Sequence, residues 1–318
     1  MHLLVTLMAP FPDRLIEAID RKGCPITVGI DPRLDLMPPA LLQGYFTRYG
    51  CTHQAASLAI RDFNLRLLDA IAAHVPAVKV QVAFYEVFGP AGMQAFADTL
   101  KAARERELIV IADVKRGDIE MTAQAYAAAY LASNLPGVKL SPGFEADAIT
   151  VNPYVGGDGV LPFVEAAKSA GKGLFILVKT SNPTSGDVQN LLVDGRPLYE
   201  RMAALVQQWG QGTEGQGGYQ AVGAVVGATY PAEAARLRSL MPHTYFLVPG
   251  YGAQGGRAAD VQACFNADGY GAIVNSSRGI MYAYRQEAFR AYGEENFPAA
   301  AEAAVSAMKQ EVAALPRP

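Results

Sequence analysis

Two aspartates with a lysine between them follow the start of an apolar segment, in the stretch IADVKRGDI (111–119). They are Asp113, Lys115 and Asp118. Buried charge is costly unless it is paired or has a function. Carboxylates on either side favour the protonated form of a lysine, and a fixed ammonium group can stabilise developing negative charge and donate a proton. The stretch therefore indicates electrostatic and acid catalysis centred on Lys115.

Polar residues also lie at the ends of other apolar segments. Asp31 ends ITVGID, and Lys79 and Gln81 lie two apart, and so on one face, in AVKVQVAF. Ser181 and Asn182 follow GLFILVKT. Taken singly, a strand-end aspartate is more often a helix N-cap or a turn former, and an interior lysine usually pairs with a carboxylate to hold the fold together. A whole set of charges that alternate in sign is harder to explain in this way, and we interpret it as one site.

The segments that carry these residues predict the fold. Short runs rich in Val, Ile and Ala alternate with alanine-rich amphipathic segments, and the runs lack the alternation of half-exposed strands. This indicates strands that are buried on both faces and paired in parallel. We predict an α/β fold, a single-domain (β/α)8 TIM barrel over residues 1–318, rather than an open sheet. The predicted strands are 26–31, 77–84, 108–115, 148–154, 173–180, 221–229, 244–251 and 271–277.

Two connections are longer than a minimal barrel unit requires. We predict an extra helical segment within 32–76 and an insert over 181–220. The Gly/Gln-rich piece QGTEGQGG (211–218) of that insert is interpreted as a flexible surface linker. Because the active site of such barrels lies at the carboxyl ends of the strands, the charged residues should converge at one mouth.

Glycine-rich turns follow the last two predicted strands, where such barrels commonly bind phosphate. They are PGYGAQGG (249–256) and SRG (277–279). Glycine lets backbone N–H groups approach an anion, and the guanidinium of Arg278 is matched to a phosphate dianion. Such turns also close ordinary connections, but an arginine in the expected loop favours phosphate. The predicted phosphate site consists of Gln254, Gly255, Arg278 and Gly279.

The composition predicts a soluble, cytoplasmic globular protein. The 318 residues are 51% hydrophobic and 18% charged, with a net charge of -3, and there is no basic run to bind nucleic acid or an anionic membrane. No segment approaches the ~18 uninterrupted apolar residues of a membrane span. The three cysteines show no metal-ligand spacing and are interpreted as reduced thiols; they are Cys24, Cys51 and Cys264.

These motifs resemble the orotidine 5′-phosphate decarboxylases, in their longer bacterial branch (type 2). DVKRGDI matches the DxKxxD core of that family, and the blocks VGIDPR, VKTSNP, LVPGYGAQGG and SRGI match in order, over about residues 26–285. The core alone is less specific, because related sugar-phosphate lyases on the same barrel share it. The resemblance implies decarboxylation of orotidine 5′-monophosphate (OMP) to UMP and CO2, the last step of de novo pyrimidine biosynthesis, by a homodimer without metal or cofactor.

The resemblance also implies the roles of the charged residues. Lys115 would protonate C6 of the pyrimidine, and Asp113 would lie against the substrate carboxylate. Asp118 would complete the array from the neighbouring subunit of the dimer. Lys79 would join the array and contact the ribose hydroxyls, as would Asp31 and Thr122.

The remaining implied roles concern the base and the phosphate. Ser181, with the neighbouring backbone and Asn182, would recognise the pyrimidine. Gln254 and Arg278 would hold the phosphate, together with Gly255 and Gly279 beside them. The polar loop 182–195 would close over the ligand.

Two other functions remain open at this point. A Mg²⁺-dependent sugar-phosphate decarboxylase or aldolase on the same barrel would use the acidic residues as metal ligands. A non-catalytic nucleotide-binding barrel would bind the ligand without turnover, although the intact Asp113, Lys115 and Asp118 speak against it.

Overall fold

Eight parallel strands close into a barrel in the computed structural model, which describes residues 9–132, 140–252 and 257–315. The strands of these ranges are β1 (Ile26–Ile30), β2 (Ala77–Gln81), β3 (Ile109–Arg116), β4 (Ala148–Val151), β5 (Gly173–Lys179), β6 (Leu192–Val193), β7 (Arg196–Pro197), β8 (Gln220–Val226), β9 (Thr244–Val248) and β10 (Ala272–Ser276). Around the barrel the order is β1-β2-β3-β4-β5-β8-β9-β10, and β10 pairs again with β1. The strands β6 and β7 form a separate antiparallel hairpin. The predicted (β/α)8 barrel, a single domain, is confirmed.

Helices connect the strands and cover the outside of the barrel. They are α1 (Phe11–Lys22), α2 (Pro39–Tyr49), α3 (His53–Ile71), α4 (Ala83–Glu86), α5 (Gly89–Glu105), α6 (Glu120–Tyr130), α7 (Gly157–Ala170), α8 (Gly186–Gln189), α9 (Leu198–Gly210), α10 (Pro231–Leu240), α11 (Ala258–Val261), α12 (Arg278–Met281) and α13 (Phe297–Ala313). Short 3-10 turns lie at Leu34–Leu36, Pro183–Ser185, Gln262–Cys264, Ala283–Arg285 and Glu287–Tyr292. Across the described ranges, none of the helices combines the length and the apolar character that a bilayer crossing requires.

The strands are buried on both faces, as their sequences predict. Every residue of β1, β8, β9 and β10 is buried. One face packs against the helices, and the other fills the barrel interior, as expected for parallel sheets in α/β proteins.

Helix α1 closes the amino-terminal end of the barrel. Its Phe11 packs edge-on against Phe175 of β5, with 5.9 Å between ring centroids. Gly173 makes room for this contact, because a Cβ there would lie 2.2 Å from the ring of Phe11. Leu15 and Ile19 of the same helix join the buried cluster inside the barrel. The cavity is therefore left at the opposite, carboxyl end.

Several strands end earlier than predicted. β2 ends at Gln81 rather than residue 84, because the chain turns into helix α4. β4 ends at Val151 rather than residue 154, just before Asn152 and Pro153; proline cannot donate to a sheet hydrogen bond. The polar residues that follow these strands lie on the mouth of the barrel.

The two long connections contain additional structure. Helices α2 and α3 fill the predicted extra segment, and α3 packs against α5 and α13. The insert over 181–220 contains α8, the hairpin and α9. Its Gly/Gln-rich piece is a turn rather than the expected flexible linker, because the N–H groups of Gln216 and Gly217 donate to the carboxylate of Asp13 at 2.9 and 3.0 Å.

Candidate active site

A cavity of about 490 Å³ opens at the carboxyl ends of the barrel strands. Its floor includes the apolar side chains of Leu177, Val225 and Leu247, which belong to strands on one side of the barrel. Phe84, Pro249, Gly250 and Tyr251 also line it, and the other lining residues are charged or polar. They are Asp31, Arg33, Lys79, Gln81, Asp113, Lys115, Thr150, Thr180, Ser181, Asn182, Asn275, Ser277 and Arg278.

The carboxylate of Asp113 is the centre of the charged residues. Its Oδ2 accepts hydrogen bonds from Lys79 Nζ and Gln81 Nε2, each at 2.8 Å. Its Oδ1 accepts from Lys115 Nζ at 2.6 Å and from Thr150 Oγ1 at 2.8 Å. Both oxygens are thus occupied by donors from β2, β3 and β4, which is the pairing that a buried charge requires.

The backbone at Lys115 directs its side chain into the cavity. Lys115 has a φ of +44°, in the left-handed region, and the register between β3 and β4 shifts between Ala112 and Arg116. Bulges of this kind re-aim side chains beside active sites. The Lys115 N–H donates to Thr150 Oγ1 at 2.9 Å, which holds this unusual conformation. Asp113 is 5% exposed, whereas the Lys115 side chain is 46% exposed, so its ammonium group can reach a ligand.

Electrostatics keep Asp113 and Lys79 charged. Burial raises the pKa of Asp113, but the charges of Lys79 and Lys115 outweigh it, and the pKa lies below its ordinary value. Burial lowers the pKa of Lys79, but the charges of Asp113 and Asp31 outweigh it, and the pKa lies above its ordinary value. Within the array of charged residues, Asp113 and Lys79 are therefore both ionised at neutral pH.

Asp31 lies at the edge of this array. Its Oδ1 is 3.6 Å from Lys79 Nζ, which is an ion pair longer than a hydrogen bond. That oxygen is buried and has no hydrogen-bond partner among the residues that the structure describes. The same holds for Oδ1 of Asn275, which also lines the cavity. Buried acceptors without a donor indicate places where a ligand hydroxyl or amide could bind.

Ser181 and Asn182 follow β5 and line the cavity on a different wall from the charged residues of β2 and β3. Their backbone carbonyls accept hydrogen bonds from Thr229 Oγ1 and Tyr230 OH, each at 3.1 Å. Gly227 permits this close packing, because a Cβ there would lie 2.8 Å from the Cα of Ser181. The loop 182–195 begins here, and the buried Nζ of Lys179 donates to Oδ1 of its Asn190 at 2.7 Å.

The predicted phosphate residues are only partly described. Arg278 begins α12 and lines the cavity, and Gly279 follows it without contributing to the lining. Gln254 and Gly255 lie outside the described residues.

Asp118 and Thr122 do not line the cavity of their own chain. Asp118 follows β3, and its Oδ1 accepts the N–H of Ile119 at 2.8 Å. Thr122 is an exposed residue in the first turn of α6. Both follow β3 in the chain, after Asp113 and Lys115.

Several cavity residues were not assigned from the sequence. Gln81 shares a face with Lys79, yet only the structure reveals its bond to Asp113. Thr150 and Asn275 are polar residues in strands that are mostly apolar, and that contrast was the available signal. Arg33 follows Asp31 by two residues, and its place at the rim depends on the turn after β1.

The charged array is arranged as ion pairs rather than as a metal-ligand set. Within residues 9–132, 140–252 and 257–315, no group of three or more His, Cys, Asp or Glu could hold a metal ion. Because Lys79 and Lys115 already occupy both oxygens of Asp113, a cation there would compete with two ammonium groups.

Comparison with known proteins identifies the family. A sequence model described as orotidine 5′-phosphate decarboxylase / HUMPS family matches residues 34–292. The orotidine 5′-phosphate decarboxylase of Rhodopirellula baltica is 44% identical over 306 residues, covering 96% of this chain and 99% of the relative. That of Caldicellulosiruptor bescii is 41% identical over 278 residues, covering 87% and 91%.

A solved structure agrees with these sequence matches. The OMP decarboxylase of Leishmania donovani superposes with a TM-score of 0.73 at 32% identity, covering 96% of this chain and 98% of that one. The similarity therefore extends over the barrel and both of its long connections.

Proposed function

Since the chain belongs to the orotidine 5′-phosphate decarboxylase family, we propose that it converts OMP into UMP and CO2 as a cytoplasmic enzyme of pyrimidine biosynthesis. The observation that carries this function is the half-exposed ammonium group of Lys115, held 2.6 Å from the buried Asp113 carboxylate inside the cavity. The named relatives carry the same activity in their descriptions.

The chemistry requires stabilisation of a carbanion. Loss of CO2 from C6 of the orotate ring breaks the carbon–carbon bond and leaves its electron pair on an sp² carbon with little conjugation. The Lys115 ammonium group beside C6 attracts this charge and then delivers a proton to C6, and the neutral amine regains a proton from solvent. Asp113 and Lys79 hold the ammonium group in place, so little reorganisation accompanies the reaction.

Asp113 has a second role in this proposal. A carboxylate pressed against the substrate's own carboxylate raises the free energy of the bound substrate, and the repulsion disappears as CO2 leaves. The low pKa of Asp113 supports this role, because the group is charged when the substrate arrives.

The other cavity residues bind the rest of the nucleotide. Asp31 accepts hydrogen bonds from the ribose hydroxyls and Lys79 donates to them. The buried Oδ1 of Asp31 supports this assignment, because it has an ion pair at 3.6 Å but no hydrogen bond among the described residues. Ser181 and Asn182 recognise the pyrimidine, and the loop 182–195, which starts at Asn182, closes over it. Arg278 binds the phosphate, together with Gln254, Gly255 and Gly279, and binding energy from this remote group drives closure.

The activity is tested by incubating the purified protein with OMP in the presence of EDTA. We expect complete conversion to UMP, measured as the loss of orotate absorbance. EDTA should not change the rate. A protein that binds the nucleotide without turnover is a non-catalytic barrel. A protein that leaves OMP intact, and decarboxylates or cleaves a sugar phosphate only until EDTA is added, is the Mg²⁺-dependent enzyme.

We also propose that the enzyme is a homodimer in which each cavity is completed by its partner. Exposed apolar residues in α6, in α7 and in the turns before these helices support this assembly. Met121 and Tyr154 are 79% and 88% exposed, and the residues that join them are Ile119, Tyr126, Val155 and Leu161. Monomeric proteins rarely expose large contiguous apolar patches.

The helices that carry these residues are packed together next to Asp118. Helices α6 and α7 are in contact, and a Cβ at Gly159 of α7 would lie 2.8 Å from the Asp118 carbonyl oxygen. Asp118 and Thr122 do not line their own cavity, and in this proposal a second copy related by a two-fold axis uses them. In the dimer they reach Lys115 and the ribose of the partner's site.

Mixing inactive variants tests whether Asp118 acts across the interface. Lys115→Ala and Asp118→Ala homodimers should each be inactive. In a heterodimer, one site receives both substitutions and the other receives none. Random refolding of an equal mixture makes half the dimers heterodimers with one intact site of two, so about a quarter of the wild-type activity should return.

The matched control is a mixture of Lys115→Ala with Asp113→Ala. Both substitutions lie in the same chain's cavity, so each heterodimer site is damaged and no activity should return. Sedimentation would verify that both mixtures are dimeric. Dimers in the first mixture that stay inactive would mean that Asp118 does not serve the partner.

A further inference from the structure

The short helix α12 and the residue after it contact two parts of the cavity, the lining at Arg278 and the turn after β1. Arg278, its first residue, lines the cavity. Met281, its last residue, and the following Tyr282 are buried. The ring of Tyr282 stacks on Phe63 of α3 with 5.8 Å between centroids. The segment is thus a compact unit with an exposed cation at one end and a buried anchor at the other.

The buried end of this unit holds the backbone of the turn after β1. The Tyr282 hydroxyl accepts the N–H of Arg33 at 2.7 Å and donates to the carbonyl oxygen of Asp31 at 3.2 Å. The N–H of Asp31 donates to the sulfur of Met281 at 3.0 Å. Three backbone groups of the turn, two of them on Asp31, therefore depend on α12 and the residue after it.

Asp31 in turn lies beside the charged array at an intermediate distance. Its Oδ1 is 3.6 Å from Lys79 Nζ, whereas Lys79 is 2.8 Å from Asp113. A displacement of the turn by a few tenths of an ångström would convert this ion pair into a hydrogen bond. Such a displacement would follow any movement of Tyr282, because the hydroxyl bonds to the Asp31 backbone itself.

We propose that Tyr282 is a positioning residue that couples phosphate binding at Arg278 to the placement of Asp31 against Lys79. The inference rests on the proposed function, because it takes Arg278 as the phosphate ligand. When phosphate draws Arg278 into the cavity, α12 moves as a unit, and the Tyr282 hydroxyl carries the Asp31 turn with it. Substrates without a phosphate do not engage this connection.

The experiment compares OMP with orotidine, the nucleoside that lacks the phosphate. We define the phosphate advantage as kcat/KM for OMP divided by kcat/KM for orotidine. Tyr282→Phe removes only the hydroxyl. It should lower the phosphate advantage about 10-fold, within the usual range of coupling between sites. The decrease should come from kcat/KM for OMP, and kcat/KM for orotidine should stay unchanged.

A double-mutant cycle with Arg278→Ala tests the connection directly. Once Arg278 is absent, Tyr282→Phe should have no further effect on kcat/KM for OMP, because the two residues act in series. Fully additive effects of the two substitutions, or equal losses with OMP and orotidine in Tyr282→Phe, would overturn the proposal.

Tyr284 provides a matched control. It is also buried, and its hydroxyl donates to the carbonyl oxygen of Leu36, in the same connection but away from Asp31. Tyr284→Phe should lower thermal stability as Tyr282→Phe does, with the phosphate advantage unchanged. An equal loss of the advantage in Tyr284→Phe would mean that the connection is merely loosened, and the specific role of Tyr282 would be wrong.

Met281→Leu is the alternative test of the coupling if Tyr282→Phe does not fold. Leucine has a similar volume but cannot accept the Asp31 N–H, so the phosphate advantage should fall here too, and an unchanged value would contradict the coupling. A wild-type protein that leaves OMP intact would instead refute the proposed function. Normal OMP turnover with an unchanged phosphate advantage in Tyr282→Phe would refute only this inference.

Discussion

Replacing Lys115 with alanine should lower kcat for OMP by at least about 10⁴-fold, since proton donation and charge stabilisation are lost together. Both effects come from one ammonium group, and no other lysine or arginine among the described residues is bonded to Oδ1 of Asp113. Rates measured at saturating OMP isolate the chemical step. Binding of UMP, measured by calorimetry, should persist because the nucleotide contacts lie elsewhere in the cavity.

Lys101→Ala is the control for this substitution. Lys101 is an exposed lysine of α5, paired with Glu105 at 3.9 Å, and lies outside the cavity lining. Its removal should leave kcat unchanged. A Lys115→Ala enzyme that keeps more than about a tenth of wild-type kcat would remove this residue from the role of proton donor.

Replacing Asp113 with asparagine should lower kcat by about 10²-fold or more, because the ammonium group of Lys115 loses its charged anchor. Substrate affinity should not weaken, since the repulsion between the two carboxylates is lost at the same time. Steady-state rates and equilibrium binding of OMP measure the two effects separately. Full activity with unchanged affinity would contradict the repulsive role of Asp113.

The same variant should be less stable, by about 2 kcal/mol, because hydrogen bonds to buried charged groups are replaced by neutral ones. Asp98→Asn is the matched control. Asp98 forms a surface ion pair with Arg61 at 2.7 Å, and such pairs contribute at most about 1 kcal/mol. Urea unfolding of wild type, Asp113→Asn and Asp98→Asn gives the loss in the free energy of unfolding for each variant.

The pH dependence of this stability difference has a definite sign. The folded pKa of Asp113 lies below its ordinary value of 3.8, so its stabilisation is fully present above that value and is lost as pH falls toward the folded pKa. The folded pKa of Lys79 lies above 10.5, so its contribution is present below that value and is lost only at higher pH. The difference between wild type and Asp113→Asn should be constant from about pH 5 to 8 and should narrow below about pH 4.

The sequence predicts those parts of the site that follow from periodicity. Lys79 lies on the inner face of β2, and Asp113 and Lys115, two apart on β3, meet as predicted. The fold follows for the same reason, since strands buried on both faces carry a recognisable composition.

Other parts depend on geometry that periodicity does not contain. The left-handed backbone of Lys115 and the bulge beside it arise from packing against β4, which also brings in Thr150. The turn at Gln216 is fixed by Asp13, some two hundred residues away in the chain. The connection from Tyr282 to Asp31 joins the two ends of the barrel sequence, and only closure of β10 onto β1 creates it.

The plug that Phe11 and its helix form at the far end of the barrel affects the traffic of molecules. In the part of the chain that the structure describes, the interior below the charged array is filled by side chains, so the mouth serves as both entrance and exit. Nucleotide product must leave by the route through which fresh substrate arrives, and the two exclude each other. Each turnover therefore requires the product to leave this opening before the next substrate molecule can enter.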